Sequence, residues 1–469
     1  MIIILLLLFN SVASNSKFLL RYRLDVGAPI SVLDGLVFLG IVVALIPLGK
    51  NRMPTSQVHP LLLRVLALFT LATLAGAFAS LLSSDDDPYY FFTTLRNFLM
   101  VPASCFIGYF LTQWPKHARR YALWLVVSGI GAGLMVMIFY KTKAETGVRQ
   151  DVDINALRTM EYGPAIAGII ATFLIFQIVS GYRMFPLVVT ILLAAVAFIG
   201  QSATLSRSDW VALAMSIGAI YFLIPREARR GKTIKVMLAA PLIVLFIWVG
   251  MEGASRVLGI DFQKRMVQRL ETMLPGERVG KTAKAWDSRL GSQIRELQLW
   301  AKSPIIGNGF GHRRIYGING EDMSGYGHNT WTFTLFQTGP AGFAAQAMVV
   351  GGMWLIGRRL IRDARGDKTF ILIGALGACA GVFFLFHGLT TASFNALRPA
   401  IFMGLIFGIV VRTRQMQLQT LDDLAIQQYV LEQQQMLEEQ GYAYDEQIAL
   451  DPEHAGHAAG AFGTYYQHN

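Results

Sequence analysis

Five residues of this chain combine a reactive side chain with a membrane-surface setting: Arg207, Arg265, Arg289, His328 and Asn329. A guanidinium keeps its charge at physiological pH and offers planar, paired hydrogen bonds to a phosphate. An imidazole titrates near neutrality and can take or return a proton during a reaction. The stretch SGYGHNTWTFTLFQTGPAGF (324–343) changes from polar and glycine-rich to apolar at His328 and Asn329. The histidine therefore stands where the chain goes into a bilayer. Acting together, such groups need elements that bring distant segments to one depth of the membrane.

Those elements are apolar helices. Of the 469 residues 54% are hydrophobic and only 15% charged, against about 25% charged in soluble domains. Blocks long enough to cross a bilayer as helices recur at about 1–16, 31–48, 61–82, 91–112, 121–140, 161–180, 186–204, 208–224, 236–252, 329–355, 369–389 and 397–412. The expectation is an all-α polytopic membrane protein with about 12 transmembrane helices and one large helical outer loop. The short alternating strands of a barrel are absent. The first block also fits the apolar core of a signal peptide but has no basic flank. Cys105 and Cys379 both lie inside apolar blocks, so neither a disulfide framework nor a zinc spacing is present.

Basic residues set the orientation. KNR (50–52), PKHARR (115–120), GYR (181–183), PREARRGKTIK (225–235) and GRRLIRDARGDK (357–368) alternate with SSDDDP (83–88) and HGLTTASFNA (387–396). The basic set is expected in the cytoplasm, with both termini. Lys17, Arg21 and Arg23 run against this pattern. Four regions result: helices 1–9 over 1–252, an outer loop over 253–327, helices 10–12 over 328–412, and a tail over 413–469. The loop carries twelve Lys/Arg against seven Asp/Glu, which suits phosphates at headgroup depth. In it, RVLGIDFQKRMVQRLETML (256–274) places Leu258, Phe262, Met266, Leu270 and Leu274 on one stripe with Arg265 off it, as in a helix lying on a membrane surface. A second helix is expected over 287–302, ended by Pro304, with IIGNGFG as a flexible turn. The tail beyond 415 has nine Asp/Glu and no Lys or Arg; its first half predicts an acidic helix and its end a disordered stretch.

Three motifs occur in order on the outer face: TLSRSDW (204–210) with Arg207; Arg289 followed by Pro304, Gly307 and Gly309; and His328–Asn329 followed by Gly339 and Gly342. Together they resemble the O-antigen ligase/polymerase superfamily of bacterial inner-membrane glycosyltransferases, over roughly residues 160 to 412. Gln293 departs from the pattern, which usually has Trp four residues after the arginine. The resemblance implies a GT-C-like fold in a Gram-negative inner membrane, with the active site facing the periplasm. It implies an O-antigen ligase reaction: transfer of a polysaccharide from undecaprenyl diphosphate to lipid A–core, inverting, with no metal and no cofactor. An O-antigen polymerase and a protein O-oligosaccharyltransferase share the motifs. The implied partners are the lipid-linked donor, the lipid A–core acceptor and membrane lipids, with no nucleic acid.

On that reading His328 is the general base, kept neutral by the positive end of the helix it precedes. Asn329 caps that helix or orients the imidazole. Arg207 and Arg289, with Arg265 as a third, grip the diphosphate and stabilise it as it leaves. Asp209 stands near enough in sequence to compete for Arg207. Gly339, Pro340 and Gly342 are expected to bend and pack their helix. His387 and His312 are alternative bases. Arg96 and Arg398 are expected to snorkel to the interface, Asp85, Asp86 and Asp87 to form a solvated turn or hold a cation, and Tyr89, Tyr90, Phe91, Phe92, Trp210 and Trp331 to form an interfacial belt. A transporter or flippase is the rival of a different class, but it places ionisable groups at the midplane, where this chain has almost none. A scaffold role through the acidic tail is a further alternative.

Overall fold

The structure is a computed structural model and describes residues 2–6, 24–25, 29–30, 32–49, 58–83, 88–145, 163–202, 207–224, 252, 256, 281–312, 329–391 and 397–439. Residues 2–6 are helical. A two-residue antiparallel pairing follows, β1 (Leu24–Asp25) with β2 (Pro29–Ile30). Among the described residues eleven helices come next: α1 (Val32–Gly49), α2 (Pro60–Leu82), α3 (Pro88–Leu111), α4 (Pro115–Glu145), α5 (Gly163–Ser180), α6 (Leu187–Ser202), α7 (Arg207–Leu223), α8 (Lys281–Trp300), α9 (Thr330–Arg362), α10 (Lys368–Gly388) and α11 (Leu397–Glu439).

Five of these are long and apolar enough to cross a membrane: α2, α3 from Tyr90, α4 to Met137, α9 and α10. Shorter apolar helices make up α1, α5, α6 and α7. The described chain is thus all-α and has the long apolar helices of a membrane-spanning protein. Apolar blocks of the sequence coincide with α1 to α7 and α9 to α11, while 236–251 lies outside the described residues. An outward apolar face marks a lipid-facing helix, as on α2, where Leu63, Leu71, Leu74, Phe78, Leu81 and Leu82 are exposed. By contrast, α10 is buried along nearly its whole length.

Close helix contacts come from small residues, since lipid supplies no hydrophobic drive between helices and packing must do so. Gly404 and Gly408, one turn apart on α11, lie against α3; a Cβ on Gly408 would stand 2.2 Å from the Cys105 carbonyl oxygen. Short connections make successive helices antiparallel, which sorts helix ends into two sets. One end of the bundle holds the start of α9 with Asn329, the end of α10, and the start of α7. The other holds the end of α9, the start of α10, and Arg412 and Arg414 of α11. Lys116, Arg119, Arg120, Arg183, Arg358, Arg359, Arg362, Arg365 and Lys368 belong to this second end.

Two features differ from the sequence reading. The last apolar block and the acidic tail helix form one continuous helix of 43 residues, about 65 Å long at 1.5 Å per residue. It is buried up to Gln417 and mostly exposed beyond. Secondly, the IIGNGFG turn is docked against α9 and α2 rather than left as a flexible hinge.

Candidate functional site

The site is built around the start of α9. Asn329 has extended backbone (φ −138°, ψ 120°), and its Oδ1 accepts from the backbone N–H of Trp331 at 2.8 Å and Thr332 at 3.3 Å. Of the two roles open to Asn329, it performs the cap, contributing about 1 kcal/mol to the helix end. The first turn is then tied to α10: Thr330 Oγ1 donates to the Thr391 carbonyl at 2.7 Å, and Trp331 Nε1 reaches the Leu385 carbonyl at 3.4 Å. Trp331 is buried between helices, edge-on to Phe343 at 5.8 Å, and so is not part of an interfacial belt.

At the end of α10, His387 is buried, stacks on Phe383 at 5.5 Å, and has Nε2 2.6 Å from Asp209 Oδ1, a close charge contact rather than a hydrogen bond. Its Nδ1 lies 3.1 Å from Thr391 Oγ1. Asp209 is also buried, in the first turn of α7. Its carboxylate therefore has a partner on another helix, while the Arg207 side chain, its expected competitor, lies outside the described residues. With both ring nitrogens engaged inside the bundle, His387 is a strut between α7 and α10.

Helix α8 lies against α9 from the other side. Glu296 is fully buried and accepts from Thr332 Oγ1 at 2.5 Å and Ser292 Oγ at 3.4 Å. Beside it Leu299, Phe333 and Phe336 form a small apolar cluster. Burial raises the Glu296 carboxyl to about 7, against the lowering effect of its bonds to Thr332 and Ser292. A carboxyl there is part protonated at neutral pH. Arg289 lies seven residues earlier in the same helix. Two turns separate them, about 10.5 Å, on nearly the same face.

Next the chain docks residues 301–312 onto a break in α9. Gly339 has φ 64° and ψ −163° inside the helix, and Pro340 follows. Proline has no N–H for the carbonyl four residues back, and the non-helical glycine disrupts the next bond. The carbonyls left open are those of Phe336 and Gln337. Asn308 N donates to Phe336 O at 2.8 Å and Gly309 N to Gln337 O at 3.0 Å. This satisfies polar groups that would otherwise be very costly at membrane depth. Both glycines are required by conformation and by space: Gly307 has φ 74° and a Cβ on it would meet Gln337 C at 2.6 Å; Gly309 has φ 91° and its Cβ would meet Ser80 Oγ at 2.4 Å. Ser80 Oγ accepts from Phe310 N at 2.8 Å, and Phe310 is buried against Phe98, ring centroids 5.4 Å apart. Burial of that ring stabilises the docked turn by roughly 2–3 kcal/mol. The second and third sequence motifs thus touch through their glycines, and Gly339–Pro340 makes the expected bend.

His328 and Arg265 lie outside the described residues, as do Asp85, Asp86 and Asp87. Arg207 opens α7 and Arg289 lies in α8; both are described as backbone positions only. The elements that carry Arg207, Asn329 and Arg289 are joined in one connected set of contacts: Asp209 to His387, Thr391 to Thr330, Thr332 to Glu296. Among the alternatives, His312 lies beside the Phe336 ring at 5.5 Å. Arg96 is not free at the interface, because its NH1 is 3.7 Å from Asp34 Oδ2. Arg398 is half-buried in the first turn of α11. Sequence reasoning missed Glu296 and the Asp209–His387 pair. Only Glu296 had a local signal, its spacing of seven from Arg289. No family model matches the chain, and no curated protein matches it.

Proposed function

We propose that the chain is an undecaprenyl-diphosphate-dependent glycosyltransferase, an O-antigen ligase that joins a finished polysaccharide to lipid A–core at the periplasmic face of a bacterial inner membrane. It crosses that membrane twelve times in a GT-C-like arrangement. One observation carries the reading: the helices bearing the three motifs meet at a single end of the bundle, opposite the end where the basic residues of the short connections gather. By the rule that basic ends stay in the cytoplasm, the motif end is the outer one, where a polyprenyl diphosphate presents its charge.

In this mechanism the acceptor hydroxyl gives its proton to the His328 imidazole as its oxygen attacks the anomeric carbon. The bond from that carbon to the diphosphate oxygen breaks on the opposite face, so configuration inverts. Arg207 and Arg289, with Arg265, hold the diphosphate and balance the charge it gains on leaving. The imidazolium then returns its proton to water. Asn329 caps α9, and the positive end of that helix favours a neutral imidazole on the residue that precedes the cap. The reading invokes no metal. A panel of acceptors tests it: purified protein in proteoliposomes receives undecaprenyl-diphosphate glycan together with lipid A–core, a second lipid-linked glycan, or a serine-containing peptide. Extension of lipid A–core supports the ligase; extension of the glycan or the peptide alone moves the chain to the polymerase or the protein glycosylator. No product with any acceptor overturns the reading.

A further inference from the structure

At the opposite end of the bundle a lateral groove of about 770 Å³ opens between α2, α9 and α11. This lies within the range of small-molecule sites, about 300–1,000 Å³. Its wall is the face of α9 that carries Phe343, Met348, Gly351 and Leu355. Gly351 is half-buried, and a Cβ added there would have nothing within 4 Å, so the wall is recessed at its middle. The groove's polar end carries Arg64, Arg359 and Arg414. Arg414 is already engaged by Asp363 at 2.8 Å and Gln417 at 2.6 Å. Asp363 also pairs with Arg362 at 2.8 Å. That one carboxylate therefore serves two cations, while Arg64 and Arg359 are exposed and their guanidinium groups have no ion pair or hydrogen bond among the described residues.

An apolar slot in the side of a membrane helix bundle, closed at its polar end by surplus positive charge, matches one ligand class. We propose that this groove binds a phospholipid with an anionic headgroup, one acyl chain lying along α9 from Phe343 to Leu355 and the phosphate held by Arg64 and Arg359. The arginines supply planar paired donors to the phosphate oxygens. Each basic side chain near an anionic headgroup adds a comparable increment to binding, so losing two weakens it by about tenfold or more. The site is separate from the motif end and independent of the proposed transfer reaction.

Native mass spectrometry of the full chain in detergent, titrated with dioleoyl-phosphatidylglycerol or dioleoyl-phosphatidylcholine, tests it. Wild type is expected to prefer the glycerol lipid by about tenfold. The double variant Arg64→Ala/Arg359→Ala should lose that preference. Gly351→Leu should weaken both lipids severalfold, because its side chain projects into the recess; a Cβ there has nothing within 4 Å and leucine raises helix propensity, so the fold is retained. No preference in wild type, or unchanged binding in both variants, overturns the proposal. Severalfold tighter lipid binding after removal of the acidic residues 440–469 also overturns it, since that would make the tail the resident occupant.

Discussion

Replacing Glu296 by Gln should remove one pH-dependent contribution to stability. The side chain is fully buried between α8 and α9 and its carboxyl is raised from 4.5 to about 7. Folding therefore favours the protonated form. The contribution is fully present below the unfolded value near 4.5 and is lost as pH rises through about 7. A rise from 4.5 to about 7 corresponds to a contribution on the order of 3 kcal/mol. Gln has nearly the same shape, keeps a carbonyl oxygen for Thr332 Oγ1, and cannot ionise. Whatever the two proteins' difference at pH 4.5, it should move toward the variant by roughly 3 kcal/mol by pH 8. Midpoints from thermal unfolding followed by size-exclusion fluorescence, at half-unit steps from pH 4.5 to 8.5, give the comparison. A difference between wild type and variant that stays constant across that range would refute the argument that Glu296 ionises in a buried site.

Gly307→Ala places a Cβ against the Gln337 backbone at φ 74°, and should cost about 1–3 kcal/mol and lower the thermal midpoint; an unchanged midpoint would mean that the turn is not docked on α9. His387→Ala leaves the Asp209 carboxylate buried without its 2.6 Å partner. The expected cost is about 1–3 kcal/mol, read as lost monodisperse yield, with Asp209→Leu/His387→Phe recovering part of it. Normal yield in the single variant contradicts the strut. Arg207→Ala should weaken lipid-diphosphate affinity at least tenfold in a binding titration, and unchanged affinity counts against its role on the donor.

What was legible in the sequence is what a single segment decides. A long run of mostly apolar residues has one low-energy solution in a bilayer, a helix, so the blocks coincide with α1 to α7 and α9 to α11. The bend at Gly339–Pro340 was legible for the same reason, because proline removes a bond wherever it stands. Continuity of α11 could have been read too, since neither Gly nor Pro occurs between Gly408 and Glu439. Other features depend on closure over long separations. Asp209 and His387 are 178 positions apart, and nothing near either announces the other. The glycines of 307–309 looked like a hinge because their need for positive φ is local, whereas the carbonyls they serve belong to residues about 30 positions later. Glu296 counted as one more charge in a basic loop; its burial follows only once Thr332 and Ser292 surround it.

The most direct test of the proposed chemistry compares wild type with His328→Ala in proteoliposomes at saturating lipid-diphosphate glycan, reading glycan joined to lipid A–core alongside donor affinity. The account predicts that transfer disappears while folded yield and donor affinity stay at wild-type levels. Glycan attachment at the wild-type rate in the alanine variant would contradict it.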